Sequence, residues 1–281
     1  MSDIRPIGIF DSGVGGLTVV KEILKKLPNE SIVYFGDTAR VPYGTKSPKV
    51  IERYALQDIF FLLKHRVKLI IAACHTVSSV VLDRLIENFH LPILGVVEPG
   101  VKAALHATKN NRIGVIGTSG TIQSGTYERK LNEKMKGITV ISQACPLFVP
   151  IAEEGWLDGE VTQRIVEIYL NPLQRQKIDT LILGCTHYPL LKPIIRNVLG
   201  DEVIIIDSAE ETAKLVARRL TLIGIENNSK ESVRHDFYVS DIPYHFQDIG
   251  ERFLGTKLES LTCIDIEPML DDGSIPTKNK I

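Results

Sequence analysis

The chain repeats itself. Ile7-Gly8-Ile9-Phe10 is matched by Ile113-Gly114-Val115-Ile116, and each leads into a loop of serine, threonine and glycine. The segment around Cys74 is matched by that around Cys185, and residues 93–97 by residues 203–207. The offsets are all roughly 110 residues and the order is preserved, so two similar lobes are expected. Within each lobe, short apolar β-rich runs alternate with helical stretches, the signature of an α/β fold with mainly parallel sheets. Strands are expected over 7–10, 31–35, 69–73, 93–97, 112–116, 138–142, 180–184, 203–207 and 235–239. Helices are expected over 17–26, 48–64, 77–88, 100–108, 124–135, 159–170, 189–199 and 209–220.

Two doubly wound lobes of this kind present their ligand-facing loops at the carboxyl ends of their strands, so the active site is expected in the cleft between them. Glu98-Pro99-Gly100 and Asp207-Ser208-Ala209 are natural crossings from one lobe to the other. They give a first lobe of residues 1–98 and 208–270 and a second of residues 99–207. The part after residue 208 has no partner in the repeat and is expected to pack back on the first lobe. Residues 271–281 read as a poorly ordered tail.

A chain of 281 residues has ample core for two lobes. Its net charge of −1 supplies no basic field for nucleic acid and no acidic tail. No apolar stretch approaches a membrane span, and the N-terminus has no apolar signal core, so the chain reads as cytoplasmic with no membrane partner. Cysteines 74, 145, 185 and 263 lie far apart and do not read as a disulfide framework.

Cys74 and Cys185 each end an apolar run and precede residues that open a helix, which is where a thiolate is stabilised and substrates approach. Three arrangements fit them. They are paired acid/base groups on opposite sides of a substrate, or Cys74, His75, Cys185 and His187 form a metal site, or Cys185 and His187 are a nucleophile–base pair. The adjacency of Cys74 and His75 makes the metal site awkward, and the hydrolase pair leaves the duplication unexplained. Cys145 and Cys263 are assigned to packing.

Four loops accompany the thiols. Asp11-Ser12-Gly13-Val14-Gly15-Gly16 turns tightly after the first strand and aims a carboxylate at the cleft; it is neither a dinucleotide fingerprint nor a P-loop. Asp37–Gly44 offers the Tyr43 phenol and the Gly44 amide to a carboxylate, or is a surface loop with Asp37 and Arg40 paired in solvent. The loop 117–124, with Thr118 and Thr121, suits an anion, or caps a helix through Ser124. The segment 145–155 brings Glu153 or Glu154 toward the cleft.

Taken together, Gly8–Thr18, Asp37–Gly44, Gly114–Thr118 and Leu183–Leu191, with Phe237–Asp241 and Gly250–Leu254, resemble the motifs of the bacterial glutamate racemase family, within the wider aspartate/glutamate racemase superfamily. The resemblance runs from about residue 7 to residue 255. It implies a cofactor-independent, metal-free, cytoplasmic homodimer of two-domain chains that makes D-glutamate for peptidoglycan. It further implies that Cys74 exchanges the α-proton of D-glutamate and Cys185 that of L-glutamate, with Asp11 assisting Cys74 and His187 and Glu153 assisting Cys185. Asp11, Ser12, Tyr43, Gly44, His75, Thr76, Thr186 and His187 fall at the family's substrate-contact positions, and Thr118 and Thr121 join them as candidates. One position departs: where the family typically has Cys-Asn-Thr, this chain has Cys74-His75-Thr76. A racemase of another acidic amino acid such as aspartate, and an amino-acid-binding relative without turnover, stay open beside this reading.

Overall fold

The computed structural model describes residues 2–229, 232–242 and 246–266. The stretch 271–281, read above as a tail, lies outside them. Among the described residues there are ten strands: β1 Ile7–Asp11, β2 Ile32–Gly36, β3 Leu69–Ala72, β4 Ile93–Gly95, β5 Arg112–Gly117, β6 Thr139–Ala144, β7 Thr180–Gly184, β8 Ile204–Asp207, β9 His235–Val239 and β10 Thr262–Cys263. The helices among them are α1 Leu17–Lys26, α2 Pro48–Lys64, α3 His75–Val80, α4 Leu82–Asn88, α5 Val97–Ala107, α6 Ser119–Gln123, α7 Thr126–Lys134, α8 Phe148–Glu153, α9 Glu160–Arg175, α10 Lys192–Leu199, α11 Ser208–Ile223 and α12 Phe246–Leu254.

The strands form two sheets, ordered β10-β9-β2-β1-β3-β4 and β6-β5-β7-β8, with every pairing parallel. The orders β2-β1-β3-β4 and β6-β5-β7-β8 are the same path, so the sequence repeat is a repeat of topology. Strands β1, β2, β3 and β7 are buried along their whole length, because helices cover both faces of a parallel sheet and such strands need continuous apolar runs. Each fully buried Ile or Leu in them contributes roughly 1.5–3 kcal/mol.

The first sheet gains two strands from the end of the chain, since β9 pairs along β2 from Ile32↔His235 to Gly36↔Val239. Helix α11 brings the chain back. Asp207 caps it by accepting the Ala209 N–H at 3.0 Å, Glu210 and Glu211 suit the positive end of its dipole, and Gly224 closes it at φ 69°. Its Ala213, Val216 and Leu220 share one core cluster with Leu17, Val20 and Ile23 of α1. The segments around Gly100 and Ser208 lie side by side: a Cβ on Gly100 would stand 2.8 Å from Ser208 Oγ.

Several boundaries differ from expectation. The strand begun at residue 93 stops at Gly95, and α5 starts at Val97, so β-branched Val96 and Val97 serve a helix entry. The helix expected over 77–88 starts at His75 and breaks at Val81 (φ −132°), whose side chain is buried in the core. The helix expected over 124–135 runs from Thr126 to Lys134, entered through Gly125 at φ 64°, and the loop expected before it holds the short α6. Helix α9 runs through Pro172 to Arg175. The segment read as a loop at 145–155 contains α8, while α12 and β10 were not foreseen. Cys145 is buried as expected, but Cys263 is exposed on the edge strand β10. Among the described residues no helix is long and apolar enough to cross a membrane.

Candidate active site

Each thiol stands just past a central strand. Cys74 follows β3 and caps α3; Cys185 follows β7 and precedes a 3-10 turn over Tyr188–Leu191. Both are 5 % exposed, and both line a single cavity of about 40 Å³ between the sheets. Ser12, Tyr43, Gly44, His75, Thr76, Thr118, Thr186 and His187 line it too. Val41, Pro42 and Val149 add apolar walls that sequence reasoning passed over; Val149 belongs to α8, hidden in a segment with two prolines. Asp11, Thr121 and Glu153 stand behind this lining.

The two thiols keep different company. Cys74 Sγ donates to Ser12 Oγ at 3.6 Å. Burial and the charge of Asp11 push its thiol up to about 12. Asp11 is fully buried; burial raises it to about 6 against the pull of His187 and of the Gly16, Gly13 and Ser12 N–H groups. Its Oδ2 accepts the Gly13 N–H at 3.1 Å, while Oδ1 has no partner. Cys185 Sγ lies 3.8 Å from His187 Nδ1, and His187 Nε2 lies 2.8 Å from Glu153 Oε1. Burial alone would lower His187, but the Cys185 sulfur and the Glu153 carboxylate outweigh it and raise the imidazole to about 10. The ring also rests edge-on against Phe253 of α12, centroids 5.1 Å apart.

His75 has neither of these supports. It is 4 % exposed, both ring nitrogens lack a partner, and burial lowers it to about 3, so it is a neutral imidazole at the cavity wall. The four potential ligands of the metal reading do not assemble: no group of three or more His, Cys, Asp or Glu suited to a metal ion occurs among the described residues.

The lobes touch around the cavity. Thr76 Oγ1 lies 3.1 Å from Thr118 Oγ1 and 3.4 Å from Thr121 Oγ1, so Thr121 serves this contact rather than the lining. Thr118 caps α6 by accepting the Thr121 N–H at 3.3 Å, and Ser124 Oγ accepts the Thr126 N–H at 3.2 Å. Thr18 Oγ1 donates to Thr186 O at 2.9 Å. Gly15 is required by closeness, since a Cβ there would stand 2.3 Å from Thr186 Oγ1.

Two expectations for the second loop need correction. The Tyr43 hydroxyl is taken up by Asp37 and Asp58 in the interior, while other atoms of the residue line the cavity. Asp37 and Arg40 are not paired in solvent but form a 2.7 Å ion pair with Asp37 fully buried. The Val41–Pro42 bond between them and Tyr43 is cis.

Two repeated parallel-sheet lobes, each lifting one thiol to a shared cavity, define a class: an enzyme of the amino-acid racemase type. Comparison with known proteins narrows it. The profile of the Asp/Glu/Hydantoin racemase family matches residues 7–216. The glutamate racemase of Geobacter metallireducens is 49% identical over 263 residues, 94% of this chain and 97% of that protein. That of Neisseria meningitidis serogroup A is 48% identical over 263 residues, 93% of this chain and 97% of that one. The crystal structure of glutamate racemase from Francisella tularensis in complex with D-glutamate superposes with a TM-score of 0.89 at 40% identity, covering 95% of this chain and 99% of its own. The chain belongs to the Asp/Glu/hydantoin racemase family, among the glutamate racemases.

Proposed function

We propose that this protein interconverts L- and D-glutamate by passing the α-proton between two cysteines, without a cofactor or metal. The observation that supports this reading most is the single cavity lined by Cys74 from one sheet and Cys185 from the other. Residues 99–207 form one wall in this scheme and the rest of the chain the other.

The chemistry is demanding, because a proton α to a carboxylate is a very weak acid and an ordinary thiol near pKa 8.5 is largely protonated at neutral pH. The two surroundings divide the labour. Cys74, raised to about 12, rests as a thiol. Cys185 stands 3.8 Å from His187, which is raised to about 10 and held by Glu153, so the Cys185 sulfur is the one placed beside a cation and serves as the base toward L-glutamate. With L-glutamate bound, the Cys185 sulfur takes the α-proton, and the electron pair of the Cα–H bond passes to the carbon and its carboxylate. The Cys74 thiol then delivers its own proton to the opposite face, giving D-glutamate. The enzyme is left with the charges exchanged, which is the starting state for the reverse reaction. Asp11 Oδ1, buried and unpartnered, suits the substrate ammonium. Ser12, Gly44, His75, Thr76, Thr118, Thr186 and His187 surround the carboxylates.

The cavity of about 40 Å³ is far below the roughly 300 Å³ at which ligand pockets begin, so the lobes part to admit substrate. The protein works in the cytoplasm as a homodimer and supplies D-glutamate for peptidoglycan. The test is proton NMR of L-glutamate with the protein in D₂O, followed by a chiral assay, with aspartate run alongside. Loss of the α-proton signal together with appearance of D-glutamate supports the reading. Binding without exchange, or faster exchange on aspartate, sinks it.

A further inference from the structure

Behind the cavity wall, three oxygens stand in a row: Asp37 Oδ2, Tyr43 Oη and Asp58 Oδ2. Tyr43 Oη makes its closer contact with Asp37 and a second, of 3.2 Å, with Asp58. All three residues are at most 1 % exposed. A phenol has one hydrogen to give. It goes to Asp37, whose carboxylate is otherwise met by donors: the Arg40 Nε–H at 2.7 Å on Oδ2 and the Ser240 hydroxyl at 2.8 Å on Oδ1. The contact between Tyr43 and Asp58 then has no hydrogen unless Asp58 brings it. Arg40 does little for Asp58, reaching Oδ1 only at 3.4 Å and turning its other amino group to Gln57.

We propose that Asp58 carries a proton in the folded enzyme and acts as a positioning residue, donating to the Tyr43 oxygen and so fixing the loop 41–45. The charge count agrees: one guanidinium balances one carboxylate, whereas two ionised carboxylates would leave a net negative charge in the interior. The groups facing Asp58 point the same way. Burial and the charge of Asp37 push it well above the ordinary carboxylate range, and Asp11 adds to this; Arg40 and the Tyr43 hydroxyl pull against it. Tyr34, the remaining neighbour, is itself held neutral by burial.

The loop matters because it is one of the parts of the first lobe seated against the second, beside Gly15, Thr18 and Thr76. Gly44 lines the cavity, and a Cβ on Gly120 of α6 would meet Gly44 O at 2.8 Å. Asp58 touches none of this directly; it acts through Tyr43.

The kinetic arm of the test rests on the function proposed above, and the spectroscopic arm does not. In Asp58→Asn the amide N–H replaces the acid hydrogen toward Tyr43 and the amide oxygen still accepts from Arg40. D58N is expected to hold KM for L-glutamate within about threefold of wild type, while Asp58→Ala raises KM about tenfold with kcat less affected. Infrared spectra of the wild-type enzyme in D₂O at neutral pH should show a protonated-carboxyl band that D58N lacks. Absence of a band lost in D58N overturns the proposal. So does a D58N enzyme whose KM rises tenfold. If D58A does not fold, D58N and the spectrum decide. If the wild-type protein racemises nothing, the proposed function falls and the infrared band still reports the proton.

Discussion

Gly15→Ala is the smallest change that should disable the site. The added Cβ would stand 2.3 Å from Thr186 Oγ1 and 2.5 Å from both Cε1 and Nδ1 of His187, against an ordinary contact of 3.4 Å or more. The neighbours must therefore yield by about 1 Å. Neither can do so freely, since His187 is held by Glu153 at 2.8 Å and by Cys185 at 3.8 Å, and Thr186 O by Thr18 at 2.9 Å. Gly15 is not in the left-handed region, so alanine meets no backbone penalty and the whole effect comes from the approach of the two lobes. Overpacking of this kind costs about 1–3 kcal/mol of stability. A shift of about 1 Å in a reacting group costs about a hundredfold in rate. Racemisation followed by circular dichroism, with urea melts on the same samples, measures both. A G15A enzyme within about threefold of wild-type turnover would refute the claim that His187 and Thr186 cannot yield to a methyl group at this approach.

Cys74→Ser and Cys185→Ser are each expected to abolish racemisation, and a near-normal rate in either would remove the two-thiol mechanism. Glu153→Gln should take away part of the support that raises His187 to about 10. Stability from that rise is fully present below about pH 6.5 and is lost as pH climbs through 10, so E153Q should flatten the alkaline loss in thermal melts; an unchanged profile counts against the pair. His75 has the opposite sign. Its folded value near 3 means that the unfolded chain takes up a proton first as pH falls below 6.5. His75→Asn should therefore save about 2 kcal/mol between pH 6.5 and about pH 5 in urea melts, and should retain or improve activity.

The sheets were legible because buried parallel strands are written as unbroken apolar runs, and both thiols sit where such runs end. Helix and strand boundaries were less so where β-branched residues open a helix, as Val96 and Val97 do at α5. Pro150 disguised α8, yet it stands in that helix's first turn, where an absent N–H goes unmissed. Strand β10, of two residues, is too short to carry a pattern. Glu153 and His187 are 34 residues apart, and only the fold joins them. Asp58 did leave a trace. Ile51, Ala55, Asp58 and Leu62 share one stripe of α2, and a carboxylate in an apolar stripe marks a partner inside the core.

The two thiols stand on the same four-strand path, repeated in each sheet, but keep unlike neighbours, Ser12 and Asp11 on one side, His187 and Glu153 on the other. Mirror-image amino acids have equal free energy in water, so a racemase must show the same kcat/KM in both directions however lopsided its site. Unequal parts must therefore compensate: the side that holds its enantiomer more tightly turns it over more slowly. Changing Glu153 can redistribute kcat and KM between the two directions, yet no substitution in this chain can tip the final mixture away from one to one.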